Sequence, residues 1–289
     1  MQLRTDLALE AVADKPLSEK DVTLRSEQLG GVRLTYLHIR SAHGAAELQK
    51  PEGRYVTMEL PPLSDSDREL EEYAALLGRE LARMLPPEGT VLVVGLGNEA
   101  ITPDAIGPQT ARLVLATRHI EGEFARATGL QDLRPTAVFA SGVRGKTGVE
   151  SAEAVRGICS EVRPVAVVAV DALASKSVER LGCTVQLSDG GIAPGSGVGN
   201  ECRALNSATL GIPVIAMEVP TVVDALTLVA DIAGFECARE CALPQERCMM
   251  VTPREIDLIV RRAARLMAMA IHSALQPSYS PLELMTVAE

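Results

Sequence analysis

The run VAVVAV at residues 165–170 is apolar at every position. A strand covered by helices on both faces has no polar side, so this run predicts the central strand of a parallel sheet. Other strand-like runs lie before and after it, at 90–94, 136–140, 183–187 and 213–217. Helical periodicity occurs between or beside these runs, at 64–85, 103–117, 148–162 and from 252 onward. The alternation predicts an α/β fold with a mostly parallel sheet flanked by helices.

The residues before Ser64 follow a different pattern. Short β-like runs, among them GVRLTYLHI and RYVTMEL, are separated by polar turns. This pattern predicts a small antiparallel or peripheral unit. We therefore expect a β-rich extension at 7–63 that packs on an α/β core at 64–289, the two together forming one domain.

The composition predicts a globular protein and argues against several function classes. Of the 289 residues, 47% are hydrophobic and 23% are charged, which is close to globular averages. The net charge of −10 argues against a broad nucleic-acid-binding face, because neutralising phosphates needs clustered cations. No apolar run reaches the ~18 residues of a membrane span, and the N-terminus is acidic where a signal peptide would be apolar. We expect a cytoplasmic protein with no membrane or direct nucleic-acid partner, and its six cysteines as free thiols.

The motif GLGNEAITPDAIGP at 95–108 follows a predicted strand. Gly95, Gly97 and Ala100 fit a loose dinucleotide-binding fingerprint. That fingerprint also needs an acidic residue at the end of the next strand, where this chain has Ser141-Gly142. The predicted helix also begins too late for the glycines to lie at its start. We therefore expect no cofactor at this loop.

Two aspartates are candidates for acid–base chemistry. Asp104 lies in the first turn of the helix predicted at 103–117, where the helix dipole and free N–H groups favour a carboxylate. Asp171 follows the strand at 165–170, at the edge where open α/β sheets bind ligands, and partial burial there raises its pKa. Such contrasting environments suit water activation and leaving-group protonation. Each residue taken alone also fits a structural role, in a helix start or a turn.

Three further sets of residues leave alternatives open. Glycines at 190–200 offer an anion nest or oxyanion hole, or else form a plain loop. The candidates there are Gly191, Gly195, Gly197, Gly199 and Asn200. Glu218 would complete a divalent-metal site with Asp104 and Asp171, or else face solvent. A cysteine cluster has a spacing that matches no familiar zinc motif; its members are Cys237, Cys241 and Cys248.

Several long strings occur in a fixed order along the chain. They are RTDLALEA, GRYVTMEL, VLVVGLGN with TPDAIGP, VDALAS, GIAPGSGVGN, TLGIPVIA with VPTVVDA, and MVTPREID. In this order they resemble the germination protease family of endospore-forming bacteria. The similarity covers most of the chain, from Arg4 to about His272.

The resemblance implies an endopeptidase that initiates degradation of small acid-soluble spore proteins during germination, in the cytoplasm of the spore core. It implies an inactive homotetrameric zymogen with a short N-terminal prosegment, and a fold similar to hydrogenase maturation endopeptidases. Family members are regarded as atypical aspartic proteases, and the two family aspartates fall on Asp104 and Asp171. Ionised Asp104 would activate water, and Asp171 would protonate the leaving amine or polarise the carbonyl. The two labels are exchangeable because the pair shares its proton.

The family cleaves after an acidic residue that is followed by a bulky apolar residue and Ala. Asp6-Leu7-Ala8 has this form, so we expect self-processing between Asp6 and Leu7 and a prosegment at 1–6. This chain lacks a long stretch where ECARECALPQERC stands, and Met217-Glu218 replaces a pair that is usually small and uncharged. A like charge near the aspartates raises their pKa. A metal-dependent endopeptidase and a non-catalytic anion-binding module are the alternatives.

Overall fold

The computed structural model describes residues 5–12, 18–120, 122–128, 130–193, 203–234 and 249–288. These residues form a nine-stranded sheet with helices on both faces. The strands are β1 Val22–Leu29, β2 Val32–Ile39, β3 Gly53–Glu59, β4 Val91–Leu96, β5 Thr136–Gly142, β6 Ala166–Ser175, β7 Thr184–Ser188, β8 Val214–Asp224 and β9 Met250–Val251. The helices are α1 Ala8–Val12, α2 Ala42–Leu48, α3 Leu70–Met84, α4 Ile106–Leu113, α5 Gly122–Thr128, α6 Arg144–Thr147, α7 Ser151–Val162, α8 Ser207–Leu210, α9 Ala225–Ala233, α10 Ile256–Leu275 and α11 Pro281–Ala288. Two 3-10 turns are Thr102–Asp104 and Val178–Arg180.

The apolar run at 165–170 lies mainly in β6, which pairs in parallel with β4 on one side and β8 on the other. Val167 and Ala169 belong to a core beneath α7. Val168 and Val170 face a larger core on the opposite side, built with α3, α4 and α10. Both faces of the strand are therefore buried, and the predicted α/β class with a large sheet flanked by helices is confirmed.

The sheet is more mixed than the sequence pattern predicts. Its order is β1-β2-β3-β7-β8-β6-β4-β5, and β9 pairs with β8. Parallel pairing joins β8, β6, β4 and β5, whereas the strands from β1 to β3, and β7, pair antiparallel. The difference arises because β3 pairs directly with β7. The N-terminal strands β1 to β3 thus continue the same sheet beyond β7.

Two glycines allow the backbone of the chain after β4 to lie directly against backbone carbonyl groups. A Cβ atom at Gly107 would lie 2.1 Å from the Leu96 carbonyl oxygen and 2.4 Å from that of Val170. Gly97 has a φ of +109°, and its Cβ would lie 2.1 Å from the Asp104 carbonyl oxygen. No L side chain fits at such distances. The motif's glycines therefore place α4 and its preceding turn against the end of β4 and the middle of β6.

The helix predicted at 103–117 forms as two elements, the turn Thr102–Asp104 and then α4. In one continuous helix Pro108 would lack its N–H bond and its ring would clash with the carbonyl four residues earlier, that of Asp104. A new helix that starts at Ile106 places Pro108 in the first turn, where the missing N–H is harmless. The turn Thr102–Asp104 follows Ile101 and has no side-chain cap.

Other sequence expectations concern cysteines and membranes. Cys159 and Cys183 are free thiols, while Cys237, Cys241 and Cys248 lie outside the described residues. Among the described helices, none has both the length and the apolar character that crossing a bilayer requires.

Substituting Gly107 tests this close packing. We expect Gly107→Ala to lower the free energy of unfolding by about 3 kcal/mol, the upper end of the usual cost of overpacking, because the clashing atoms belong to the backbone of two central strands. Gly157→Ala is the control, since that glycine is in α7 with open space around it. It should gain about 0.5–1 kcal/mol. Urea unfolding measures both, and equal stability of wild type and Gly107→Ala would contradict the packing argument.

Candidate active site

Three polar side chains form a row across neighbouring strands of the sheet. Asp171 on β6 pairs with Glu218 on β8, and Glu218 pairs with Gln186 on β7. Residues paired in register lie on the same face. Two residues earlier on this face, Ala169 and Ala216 belong to the core beneath α7. The polar row therefore begins where the apolar cover of the sheet ends.

Asp171 is 5% exposed. It lies inside β6, which continues to Ser175 rather than ending at Val170. Its Oδ1 accepts a hydrogen bond of 2.8 Å from the N–H of Ala172. Burial raises the pKa of Asp171 well above its usual range, and the nearby carboxylates add to the rise. The carboxyl group is thereby poised to hold a proton, and so to donate one.

Asp104 ends the 3-10 turn that contacts β6 and β8. Its Oδ2 accepts a hydrogen bond of 2.8 Å from the N–H of Asn98. Burial raises the pKa of Asp104, and the Asn98 bond opposes the rise. The expectation that a helix start favours its charged form is therefore wrong in sign, because desolvation outweighs the N–H contact. Asp104 in turn raises the pKa of Asp171, so the two aspartates are electrostatically coupled.

Glu218 is partly buried, and its Oε2 accepts a hydrogen bond of 3.0 Å from Nε2 of Gln186. Burial raises its pKa to about 7; Asp6 adds to the rise, and Gln186 and Lys50 oppose it. Asp104 and Glu218 both act electrostatically on Asp171. Within the described ranges, however, no three His, Cys, Asp or Glu side chains are arranged as metal ligands.

The N-terminal segment at 5–12 lies beside this row. The N–H of Asp6 donates to the Ala174 carbonyl at 2.9 Å, and the N–H of Ala174 donates to Oδ2 of Asp6 at 3.1 Å. Leu7 and Ala8 are completely buried. The N–H of Ala8 donates to Oε1 of Gln186 at 2.8 Å. Backbone and side chains of β6 and β7 thus hold both sides of the Asp6–Leu7 peptide bond.

The carbonyl oxygen of Asp6 has two side-chain donors. Nζ of Lys50 donates to it at 2.9 Å, and to the Thr5 carbonyl at 3.0 Å. Nε2 of Gln186 approaches the same Asp6 oxygen at 3.5 Å. Burial lowers the pKa of Lys50, and the carboxylates of Asp6, Glu218 and Glu10 oppose that shift.

Glu10 fixes the other end of the segment. Its carboxylate accepts hydrogen bonds from the N–H groups of Lys176 at 2.7 Å and Ser177 at 3.0 Å. Arg180 lies 3.4 Å from the same carboxylate and 2.9 Å from that of Glu59. The segment is therefore anchored four residues after Asp6 by charge as well as by backbone contacts.

The structure separates the residues singled out in the sequence. It brings together Asp104, Asp171 and Glu218, with Asp6 and Leu7 beside them. Gly191 packs against another segment: it has a φ of +83°, and a Cβ atom there would lie 2.4 Å from the Leu205 carbonyl oxygen. The other residues of the predicted nest lie outside the described ranges; they are Gly195, Gly197, Gly199 and Asn200.

Sequence reasoning missed Lys50, Gln186, Glu10 and Arg180. One signal existed for Gln186, since it is a polar residue between Val185 and Leu187 in a strand that is buried throughout. Lys50 offers no such signal, because it stands in a polar stretch before Pro51.

An α/β sheet that holds its own N-terminal segment beside two interacting aspartates, one buried and one partly buried, has the features of a peptidase. The sequence model of the germination protease family matches residues 5–239, and the chain belongs to this family. The predicted family membership and the predicted peptidase class are both confirmed.

Individual relatives agree with the family match. A germination protease of Caldanaerobacter subterraneus subsp. tengcongensis is 38% identical over 98% of this chain and 97% of its own length. The germination protease of Bacillus subtilis is 39% identical over 81% of this chain and 66% of its own length. Among solved structures, the [NiFe] hydrogenase maturation protease HycI from Thermococcus kodakarensis KOD1 is similar, at 16% identity and a TM-score of 0.38, over 66% of this chain and 98% of that one.

The raised pKa of Glu218 makes stability depend on pH. Its carboxyl group binds a proton more tightly in the folded than in the unfolded chain, so its favourable contribution is complete below pH 4.5 and is lost as pH rises through about 7. In Glu218→Gln nothing titrates at this position. We therefore expect the variant to match the wild type at acidic pH and to exceed it by up to about 3 kcal/mol at pH 8, at ~1.4 kcal/mol per pKa unit.

Urea unfolding at several pH values measures this difference. Both chains should carry Asp104→Asn, so that the expected self-processing does not alter the samples. A stability difference that stays constant from acidic to alkaline pH would show that Glu218 does not titrate as described.

Proposed function

We propose that this chain is a zymogen endopeptidase that initiates degradation of small acid-soluble spore proteins during germination and first cleaves its own Asp6–Leu7 bond. The observation that carries the proposal is the position of that bond. Asp6 lies close enough to Asp171 to raise its pKa, and both sides of the bond are hydrogen-bonded to the sheet. Membership of the germination protease family supports the spore-protein substrate.

The two aspartates supply an acid and a base. Asp171, the more strongly buried and the more easily protonated, gives a proton to the leaving nitrogen of Leu7. Asp104, which keeps a stabilising N–H contact from Asn98, accepts a proton from water as the water oxygen attacks the Asp6 carbonyl carbon. Because each group affects the other, the labels apply to the pair and are exchangeable.

The contacts of the segment also support a cleavage rule. The Asp6 carboxylate accepts the Ala174 N–H, which favours an acidic residue before the cleaved bond. Leu7 and Ala8 are fully buried, which favours an apolar residue followed by a small one. Arg180 and two backbone N–H groups favour an acidic residue at the position of Glu10. Substrates are expected to combine these three features.

The same contacts account for a zymogen. While residues 5–12 occupy the site, a protein substrate cannot reach the aspartates. Cleavage would release 1–6 as the prosegment, and the enzyme would then comprise the extension at 7–63 and the core at 64–289. The family relationship further supports a homotetramer in the cytoplasm of the spore core.

Substitution of each aspartate tests the proposed chemistry. Asp104→Asn and Asp171→Asn should each lower the cleavage of a purified small acid-soluble spore protein by at least about 100-fold, the low end of what a general acid or base contributes. Asp132→Asn, which changes an exposed aspartate, should cleave like the wild type. Gel analysis of the products gives the rates, and circular dichroism verifies folding.

A chelator separates the aspartate mechanism from a metal-dependent one. Cleavage that is unchanged by chelator supports the aspartate pair. Cleavage abolished by chelator, and restored by a divalent cation, would instead support a metal site at Asp104, Asp171 and Glu218. Full activity of a folded Asp171→Asn would contradict both.

A further inference from the structure

The Asp6 carbonyl oxygen is the atom that becomes negative when the Asp6–Leu7 bond is attacked. In the structure this oxygen faces two donors from different elements. Lys50 comes from the chain between α2 and β3, and its Nζ lies 2.9 Å away. Gln186 comes from β7, and its Nε2 lies 3.5 Å away. The two groups thus converge on one oxygen.

Gln186 is oriented by contacts on both of its amide atoms. Its Oε1 accepts the N–H of Ala8 at 2.8 Å. Its Nε2 donates to Glu218 at 3.0 Å and points toward the Asp6 oxygen at the longer distance. A donor that is distant from a planar carbonyl and approaches a tetrahedral oxyanion stabilises the transition state more than the bound substrate, which is the requirement for raising a rate.

Lys50 is positioned to carry a positive charge at this oxygen. Burial alone favours its neutral form, but the carboxylates of Asp6, Glu218 and Glu10 favour the ammonium form. An ammonium group has three N–H donors, and two of them are used by the Thr5 and Asp6 carbonyl groups. The Thr5 contact holds the ammonium group in place while the Asp6 oxygen gains charge.

We propose that Lys50 and Gln186 form the oxyanion-binding pair of this peptidase. The inference rests on the proposed function, because it assigns the polarising role within the same reaction. Water adds its oxygen to the Asp6 carbon and gives a proton to Asp104. The carbonyl oxygen becomes an oxyanion held by Lys50 and Gln186. The bond to the Leu7 nitrogen then breaks as that nitrogen takes a proton from Asp171, and the oxyanion returns to a carbonyl.

This assignment changes the roles expected from the sequence. With two donors on the carbonyl oxygen, Asp171 is not needed to polarise the carbonyl and serves as the acid for the leaving nitrogen. The glycine-rich stretch that begins at Gly190 is likewise not required as the oxyanion hole. Of its described glycines, Gly190 packs against Pro51 and Tyr55, and Gly191 packs against Leu205 and Asn206.

Self-processing of the full-length chain tests the pair. Because the segment is tethered and already in place, the first-order rate followed by intact mass reports the bond-breaking step more than binding. Lys50→Met keeps the length of the side chain and removes its charge, so we expect a rate loss of about 100-fold or more, the size found when one oxyanion donor is removed. Gln186→Met should lose about 10-fold, because its contact with the oxygen is longer.

Three further variants complete the experiment. Lys50→Arg keeps the charge and should recover part of the lost rate. Lys20→Met changes an exposed lysine in a turn and should process like the wild type. Asp171→Asn reports separately on the proposed function, and is expected not to process.

Hydrogen exchange distinguishes a catalytic from a structural role of Lys50. Exchange at residues 5–12 should be the same in Lys50→Met and in Asp171→Asn, which shows that the segment remains bound. Exposure of the segment in Lys50→Met alone would overturn the proposal, since Lys50 would then act by binding. A Lys50→Met chain that processes at the wild-type rate, while Asp171→Asn does not, would also overturn it. If wild type and Asp171→Asn process alike, the proposed function and this inference both fail.

Discussion

A carboxyl group is buried inside a β-strand, and the site is built around that constraint. Asp171 occupies a position on β6 where the preceding residues on the same face belong to an apolar core. A carboxylate is costly to bury unless it is paired or protonated. This cost is reduced because the pKa of Asp171 is raised, so that the group readily takes a proton, and because the Ala172 N–H donates to its Oδ1. Gly107 makes this arrangement possible because it lets Asp104 approach the strand.

The N-terminal segment at 5–12 belongs both to the folded structure and to the proposed reaction. It covers the polar row and buries Leu7 and Ala8, so it behaves as part of the fold. In the proposed reaction the segment is also the first substrate, because its Asp6–Leu7 bond is held against β6 and β7. A segment with both properties would act as an inhibitor that the enzyme removes once. The Asp6 carboxylate raises the pKa of Glu218. Removal of Asp6 would therefore lower the pKa of Glu218.

Sequence patterns predicted the parts of the structure that follow from local rules. The apolar run of β6 could be placed because it has no polar face, and Asp171 could be singled out as the first charge after it. Strand pairing could not be predicted in the same way, because the sequence GRYVTMEL contains no signal that β3 pairs with β7. The ionisation of Asp104 was also beyond local rules, because the helix-start argument favours charge while burial, a tertiary property, opposes it. Lys50 could not be singled out, because its contact is with a carbonyl group 44 residues earlier in the chain.

We propose that each chain presents its own Asp6–Leu7 bond to its own aspartates. The half-life of the intact full-length chain at mildly acidic pH, followed by mass, tests it most directly. The half-life should stay the same over about a hundredfold dilution, since a tethered substrate reacts as an intramolecular one. A half-life that lengthens in proportion to dilution would show that cleavage occurs between molecules and not within one chain.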